Sequence, residues 1–298
     1  MTLEQLRIFL EVADRQHVTR AAQALNLTQS AVSAAISSLE ARHAVILFNR
    51  IGRRIELTEA GRIFVSEAKQ ILDRTRAAEA VLADLGGAAS GLLRVYASQT
   101  VASYWLPPRL VRYHELYPRV DVRLVVGNTQ TAAKAVLAGE AEIAVVEGDI
   151  FLGGLKRQKV AEDRLVLIVG SRHPWADGRQ VRATDLLEAT WIMRESGSGT
   201  RSAFEAELAM RRIDPAALEI FLEMPSNEAA IAAVQAGTHA TVLSSRATGF
   251  HSLAGKLHVA NFTMAPRSFS AFHHAERHVT RALRSMLDLL SEPETEED

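Results

Sequence analysis

Between Thr58 and Leu85 the chain places Phe64, Ala68, Ile71, Thr75, Ala78, Leu82 and Leu85 at alternating steps of four and three. A repeat averaging 3.5 residues keeps a seam on one side of a helix and suits two helices lying together, with Thr75 as its polar interruption. The same seam would also serve one helix packed on its own domain. The next residues, Gly86-Gly87-Ala88-Ala89-Ser90-Gly91, have the composition of a hinge, which leaves the helix between domains. A chain of 298 residues exceeds one typical folding unit. The expected division is a first domain at 1–58, a linker helix and hinge at 59–87, and a second domain at 88–298.

Ahead of the long helix, Leu3, Leu6, Phe9, Leu10 and Ala13 fall at helical spacing. A short helix fits Thr19–Leu25, and after the polar break at Asn26–Thr28 a third fits Gln29–Leu39 with Thr28 as N-cap. Ala21 and Ala22 are small enough for close helix crossing. Val32, Ile36 and Leu39 share one face of the third helix. The opposite face carries Gln29, Ser30, Ser33, Ala34 and Ser37. An amide and several hydroxyls on a short helix suit base edges in a major groove. Arg50–Thr58 has the pattern of a hairpin turning at Gly52-Arg53-Arg54. Guanidinium groups there would meet phosphates or a narrow minor groove. Taken singly, a Ser-rich face is also an ordinary solvated face, and three arginines on a turn also serve solubility.

Charge sharpens this slightly. Residues 1–58 hold seven Arg and five acidic residues, whereas the whole chain has a net charge of −1. A mildly basic head on a neutral body is compatible with nucleic acid. The last eight residues contain five acids and no base, as expected of a solvated, frayed end. The absence of cysteine excludes a disulfide framework, thiolate metal ligands and a thiol nucleophile. No leader-like start and no apolar run of about 18 residues is present. The expected location is the cytoplasm, with no membrane partner.

Beyond the hinge the pattern alternates. Leu92–Ser98, Val120–Gly127 and Glu142–Glu147 read as strands, with helices at Val101–Leu116 and Thr131–Ala138. A second set has strands at Leu165–Gly170, Trp191–Arg194, Leu218–Glu223 and Ala240–Ser244, and helices near 201–211 and 227–236. Arg267–His274 reads as a returning strand and Glu276–Leu290 as a terminal helix. Such alternation implies an α/β fold with a mainly parallel sheet. Three hydroxyl-rich turns lie where a strand meets a helix: Ser98-Gln99-Thr100, Asn128-Thr129 and Ser196-Gly197-Ser198-Gly199-Thr200. Such turns ring the ligand crevice of α/β sheets, and helix N-termini favour anions. Ser and Thr also occupy these places as simple N-caps.

Enzyme patterns are missing. Gly197-Ser198-Gly199 has Ser202 where a dinucleotide fingerprint needs glycine, and there is neither a phosphate loop nor a nucleophile elbow. His274 and His278 are spaced for one helical face, but Ala275 and Arg277 stand where zinc-protease patterns need Glu. No cofactor or metal is expected.

The segment His17–Arg62 (HVTRAAQALNLTQSAVSAAISSLEARHAVILFNRIGRRIELTEAGR) closely resembles the DNA-binding domain of LysR-type transcriptional regulators. The resemblance is carried by Thr19-Arg20-Ala21-Ala22, Leu27-Thr28-Gln29-Ser30-Ala31-Val32-Ser33, Ile36, Leu39-Glu40, Leu47-Phe48, Arg50 and Leu57-Thr58-Glu59-Ala60-Gly61. Relatives often carry Pro at position 30 and Arg-Gln at 34–35, where this chain has Ser30, Ala34 and Ala35. Losing that arginine puts more weight on Arg50, Arg53 and Arg54. The resemblance implies a winged helix-turn-helix, a linker helix and a two-subdomain α/β domain like a periplasmic binding protein. Its subdomains would be about 91–162 plus 267–298, and about 163–266. It also implies double-stranded promoter DNA as partner, a small-molecule effector, and a homodimer or homotetramer. Arg194–Arg201 (RESGSGTR) resembles the CysB/CysR-like branch, which implies an oxyanion or carboxylate effector held at Ser98, Thr100 and Thr200 with Ser196 nearby. Ser226-Asn227-Glu228 resembles the second subdomain's own turn. His239, where relatives have a small residue, either touches the effector or is a satisfied, partly buried histidine. The alternatives are a DNA-bending protein without a ligand, or an enzyme of the α/β region. The large α/β region argues against the first.

Overall fold

The computed structural model describes residues 1–51, 54–86, 89–148, 152–248 and 256–293. Contacts group the chain into two compact units, residues 1–82 and 83–298.

The first unit opens with α1 (Leu3–Arg15), α2 (Val18–Ala24) and α3 (Gln29–His43). Thr2 and Gln5 form a reciprocal capping box on α1, which satisfies two otherwise orphaned donors. Thr28 caps α3 by accepting the Ala31 N–H at 3.2 Å. α3 runs a turn beyond Leu39 and closes at Ala44 in the left-handed conformation, φ 49°. Ala21, Val32 and Leu39 are buried, as their spacing requires, around Phe9, whose ring lies 5.4 Å from that of Phe48 and 4.9 Å from that of Phe64.

A clamp ties this bundle to the hairpin β1 (Phe48–Ile51) and β2 (Arg54–Leu57) and to α4 (Glu59–Leu85). Glu40 Oε1 accepts the N–H groups of Leu47 and Phe48 at 2.7 and 3.2 Å. The Thr58 N–H donates to the Leu47 carbonyl at 3.0 Å, its hydroxyl donates to the Ile46 carbonyl at 2.7 Å, and the same hydroxyl accepts the Gly61 N–H at 2.9 Å. Gly61 presses against the Leu47 carbonyl and the Leu57 side chain, so a Cβ there would collide with backbone. The Leu57–Gly61 run is thus explained by packing.

α4 corrects the expected seam. Phe64, Ala68 and Leu72 pack into the first unit's own core, whereas Ile71, Ala78 and Leu82 are exposed. The exposed apolar face therefore starts at Ile71, and the side chain of Leu85 lies outside the described residues. Thr75 returns its hydroxyl to the Ile71 carbonyl at 3.0 Å, so the polar interruption is satisfied within its own helix.

The second unit contains β3 (Gly91–Ser98), α5 (Gln99–Tyr104), α6 (Leu106–Leu116), β4 (Val120–Gly127), α7 (Thr129–Ala138), β5 (Ile143–Glu147) and β6 (Leu155–Gly170). Then follow β7 (Thr190–Arg194), α8 (Gly199–Met210), β8 (Glu219–Met224), α9 (Asn227–Ala236), β9 (Ala240–Ser244), β10 (Leu257–Val259), β11 (Pro266–His274) and α10 (Arg281–Leu290). Strand order is β4-β3-β5-β11-β6-β9-β7-β8, with β10 on β6. β3 runs parallel to β4 and β5, and β7 parallel to β8 and β9, whereas β6 and β11 are antiparallel to their neighbours. β6 pairs with β11 over its first part and with β9 over Leu165–Val169. Among the buried clusters of this unit, one gathers Leu93, Val95, Trp105, Ile143, Phe269 and Met286, and another Leu167, Trp175, Trp191, Phe204 and Phe262.

Three sequence expectations change. β6 starts at Leu155 rather than Leu165, because the charged stretch that hides its first part is paired with β11. The helix expected over Val101–Leu116 is two, broken at Trp105. Pro107 and Pro108 lack the N–H needed inside a helix and so start a new one. α10 starts at Arg281 because Thr280 caps it. His274 consequently ends β11 and His278 lies in the connection, so the two share no helical face.

Replacing Gly61 with Ala is expected to destabilise the first unit by about 1–3 kcal/mol through overpacking, read by chemical denaturation of the full chain; an unchanged midpoint would refute the clamp.

Candidate functional site

In the first unit, α3 presents Gln29, Ser30, Ala34 and Ser37 to solvent, with Ser33 half-buried. The Thr28 and Ser30 hydroxyls lie 3.0 Å apart, so Thr28 is both cap and part of the polar surface. On α2, Arg20 is exposed and Thr19 half-buried. In the hairpin the backbone of Arg50 pairs with Ile55 and that of Arg54 with Ile51, while Arg53 lies outside the described residues. This polar face stands opposite buried Val32, Ile36 and Leu39.

In the second unit the three strand-to-helix turns converge. Ser98 ends β3 and Thr100 lies in the first turn of α5. Thr200 sits in the first turn of α8. The Thr100 and Thr200 hydroxyls, a hundred residues apart in sequence, lie 3.5 Å apart and buried. The Asn128 amide donates to the Ser196 carbonyl at 3.3 Å, and the Gln130 N–H to the Gly197 carbonyl at 3.2 Å. Gly197 adopts φ +86°, with Gln130 and Asn128 packed where a Cβ would point; only glycine takes that turn without strain.

Several expected residues act locally. Asn128 caps α7, and Ser226 caps α9 by accepting the Ala229 N–H at 3.1 Å. Thr129 donates its hydroxyl to the Glu147 carbonyl at 3.0 Å. The Ser196 side chain is exposed. His239 is the satisfied histidine: its Nδ1 lies 2.7 Å from the Thr190 hydroxyl and its ring stacks on Phe221 at 4.1 Å.

The sequence placed Gln99, Arg194, Asn227 and Glu228 within its turn segments without a role for them, and gave no sign of Glu147. Glu147, the buried last residue of β5, accepts from Ser98 and, at 3.4 Å, from Thr200. Asn227 is fully buried; its side-chain N–H donates to Thr100 at 3.1 Å, its backbone N–H donates to Gln99 Oε1 at 3.0 Å, and its side-chain oxygen Oδ1 accepts from Arg194. Gln99 donates to Glu228 at 2.6 Å, and the Tyr104 hydroxyl donates to the same carboxylate at 2.7 Å. Burial and this donation push the Tyr104 hydroxyl well above its ordinary pKa. Burial pushes the Glu228 carboxyl up, but hydrogen bonds from Tyr104 and Gln99 help hold it below its ordinary value.

Behind Thr200 lies an ion pair. Arg267 on β11 donates to Thr200 at 3.1 Å and to Asp163 on β6 at 2.8 Å, and Ser244 donates to the other Asp163 oxygen at 2.6 Å. A cavity of about 440 Å³ borders this pair, lined among others by Gly148, Leu165, Ser202, Met264 and Arg267. Among the described residues no His, Asp and Glu cluster has the make-up of a metal site, and no helix is long and apolar enough to cross a membrane.

Comparison with known proteins matches both units. Residues 3–62 match the family described as bacterial regulatory helix-turn-helix protein, lysR family, and residues 86–293 match the LysR substrate binding domain. The chain is 34% identical over 290 residues to the HTH-type transcriptional regulator YeiE of Escherichia coli (strain K12), covering 97% of this chain and 96% of that one. It resembles full-length CbnR complexed with its target DNA at TM-score 0.70 and 22% identity, covering 97% of this chain and 99% of that one. It also resembles the regulatory domain of CcmR from Synechocystis PCC6803 in complex with 2-PG, at TM-score 0.62 and 26% identity, covering 68% of this chain and 96% of that one.

Removing one partner of the Asp163–Arg267 pair should be costly. Arg267→Met is expected to lower the second unit's stability by about 3–5 kcal/mol by leaving a buried charge unpaired. Adding Asp163→Asn should recover part of that loss in denaturation of the full chain; an Arg267→Met variant as stable as the parent would refute it.

Proposed function

The chain belongs to the LysR family of bacterial helix-turn-helix transcriptional regulators, a DNA-binding regulator and not an enzyme, and we propose that its promoter binding is modulated by a small anionic or carboxylate effector held at the converging turns of the second unit. The observation that carries this reading is the juxtaposition of Thr100 and Thr200 from two helix starts, buried beside Ser98. Hydroxyls and helix N-termini together favour oxygen-rich anions. The effector residues of this reading are Ser98, Thr100 and Thr200, with Asn128, Thr129, Ser196 and Ser226 shaping the turns. CcmR's complex with 2-PG supports a small ligand in a domain of this kind. The CysB/CysR-like character of Arg194–Arg201 favours a sulfur oxyanion among the candidates.

DNA is read by Gln29, Ser30, Ser33, Ala34 and Ser37 on α3. Thr19, Arg20, Thr28, Arg50, Arg53 and Arg54 address the backbone or minor groove. Three exposed apolar surfaces support assembly into homodimers and homotetramers in the cytoplasm. One is the Ile71–Leu82 face of α4. The others are the two opposite edges of the sheet, Leu124, Val125 and Val126 on β4 and Ile220, Phe221 and Leu222 on β8. Paired heads would place two α3 helices on a dyad-symmetric operator.

Selection of operators from random duplexes by the full chain should yield a dyad-symmetric site. Gln29→Ala should cost about 1–3 kcal/mol and relax one position of each half-site, whereas Arg20→Ala should weaken all sequences alike. Saturating anion at a hundred times its dissociation constant should add about 2.7 kcal/mol of stability, lost in Thr100→Ala and Thr200→Ala. Operators without dyad symmetry, or a flat response to sulfur oxyanions, phosphate and metabolic carboxylates, would overturn the respective halves.

A further inference from the structure

α7 joins two distant parts of the second unit. At its start the Asn128 side chain donates to the Ser196 carbonyl at 3.3 Å, and the Gln130 N–H donates to the Gly197 carbonyl at 3.2 Å. Ala132, Ala133, Ala135 and Val136 are buried, and these short side chains seat the helix close against the sheet. Its 10 residues make a rod of about 15 Å. At the far end the last carbonyls of α7, which have no partner inside the helix, are held by two arginines. Arg277 donates to the Val136 and Leu137 carbonyls, each at 3.0 Å, and Arg94 donates to the Gly139 carbonyl at 3.0 Å. A Cβ at Gly139, which adopts φ +86°, would lie 2.8 Å from the Arg277 guanidinium. The next residue, His278, places its Nε2 3.1 Å from the Asp84 carboxylate, and the Arg281 N–H donates to the same carboxylate at 2.7 Å. Arg281 opens α10, so Asp84 supplies an acceptor that the helix itself cannot. Asp84 belongs to the second unit but sits in the last turn of α4, whose earlier residues Phe64, Ala68 and Leu72 lie in the first unit's core.

We propose that α7 acts as a strut coupling the Ser196–Gly197 turn to the end of α4, with Arg277 and Asp84 as its positioning residues. As the route of an effector signal this rests on the reading above, whereas the strut itself does not. A close-packed helix shifts as a body and passes strain on rather than absorbing it. A shift of the 196–197 turn pulls on Asn128 and Gln130 and moves the carbonyls that Arg277 holds. The 277–281 segment moves with them, and it carries both partners of Asp84. The chain of contacts is unbroken from the turn to Asp84, and α4 continues without a break from there toward the DNA-reading unit. Arg277 touches neither the turn nor Asp84; it acts by keeping α7 and the 277–281 segment in one piece.

The test is amide hydrogen exchange of the full-length protein, read at the Arg281 amide, whose protection reports the Asp84 contact. Asn128→Asp keeps the oxygen that caps α7 and loses the donor to Ser196, so it perturbs the near end alone. It should speed exchange of the Arg281 amide by about fivefold or more, and should add nothing once Arg277→Met is present. Arg277→Lys, which keeps a cation at the α7 carbonyls, should restore part of the response. Gly197→Ala, whose Cβ would press on Gln130 and Asn128, is a second near-end perturbation should Asn128→Asp fail to fold. A merely structural Arg277 would give a less stable Arg277→Met protein that still responds to the near-end change. That result, or an Arg281 amide indifferent to both near-end variants, overturns the strut. Sodium sulfite and sodium phosphate are added to the parent in a separate arm. A protein whose Arg281 amide responds to Asn128→Asp while neither anion alters exchange anywhere upholds the strut and counts against the anionic-effector reading.

Discussion

The second unit depends on the buried pair Asp163–Arg267. The two residues are register partners on adjacent strands β6 and β11, and both lie where β6 passes from pairing with β11 to pairing with β9. Asp163 also takes Ser244 from the end of β9, and Arg267 also reaches Thr200 at the start of α8. Four elements are thus held to one ion pair. A buried pair is worth its desolvation only when its remaining donors and acceptors are occupied, and here Ser244 and Thr200 occupy several of them. Holding Thr200 fixes the α8 start against Glu147 and Thr100, so the site inherits its geometry from this interaction.

The first unit solves a different problem with shorter-range means. Its polar α3 face must be presented rigidly although most of its side chains are small. Glu40, Thr58 and Gly61 supply the rigidity by tying the chain on either side of the hairpin to α3 and α4. None of the three needs to touch DNA to matter for reading it.

This contrast explains what the sequence disclosed. α1 to α3 were legible because their apolar periods, and the cap of α3, are local: Thr28 and Ala31, or Val32, Ile36 and Leu39, lie within a few residues of one another. The three turns were legible as places, since each falls between a strand pattern and a helix pattern. Their partners were not. Glu147 closes an apolar strand and looks like a boundary residue, and Asn227 and Arg267 gain meaning only from contacts 127 and 67 residues away. Ser226 and Asn128 carry the same hydroxyl or amide signal as Thr100 but are engaged in capping. The start of β6 escaped because charged residues paired across two strands have no apolar alternation to reveal them.

An effector can switch such a protein only by binding one arrangement of its parts better than another. The hydrogen bonds that join Gln99, Thr100 and Asn128 to Ser196, Asn227 and Glu228 are the contacts such a ligand would bias. The most direct measurement is a footprint of the full-length protein on its selected operator with and without saturating sulfite or phosphate, for the parent and for Thr200→Val. The account predicts that the anion changes the length or the hypersensitive positions of the parent footprint and leaves the Thr200→Val footprint unchanged. A parent footprint identical in both conditions, with the anion demonstrably bound, would contradict it.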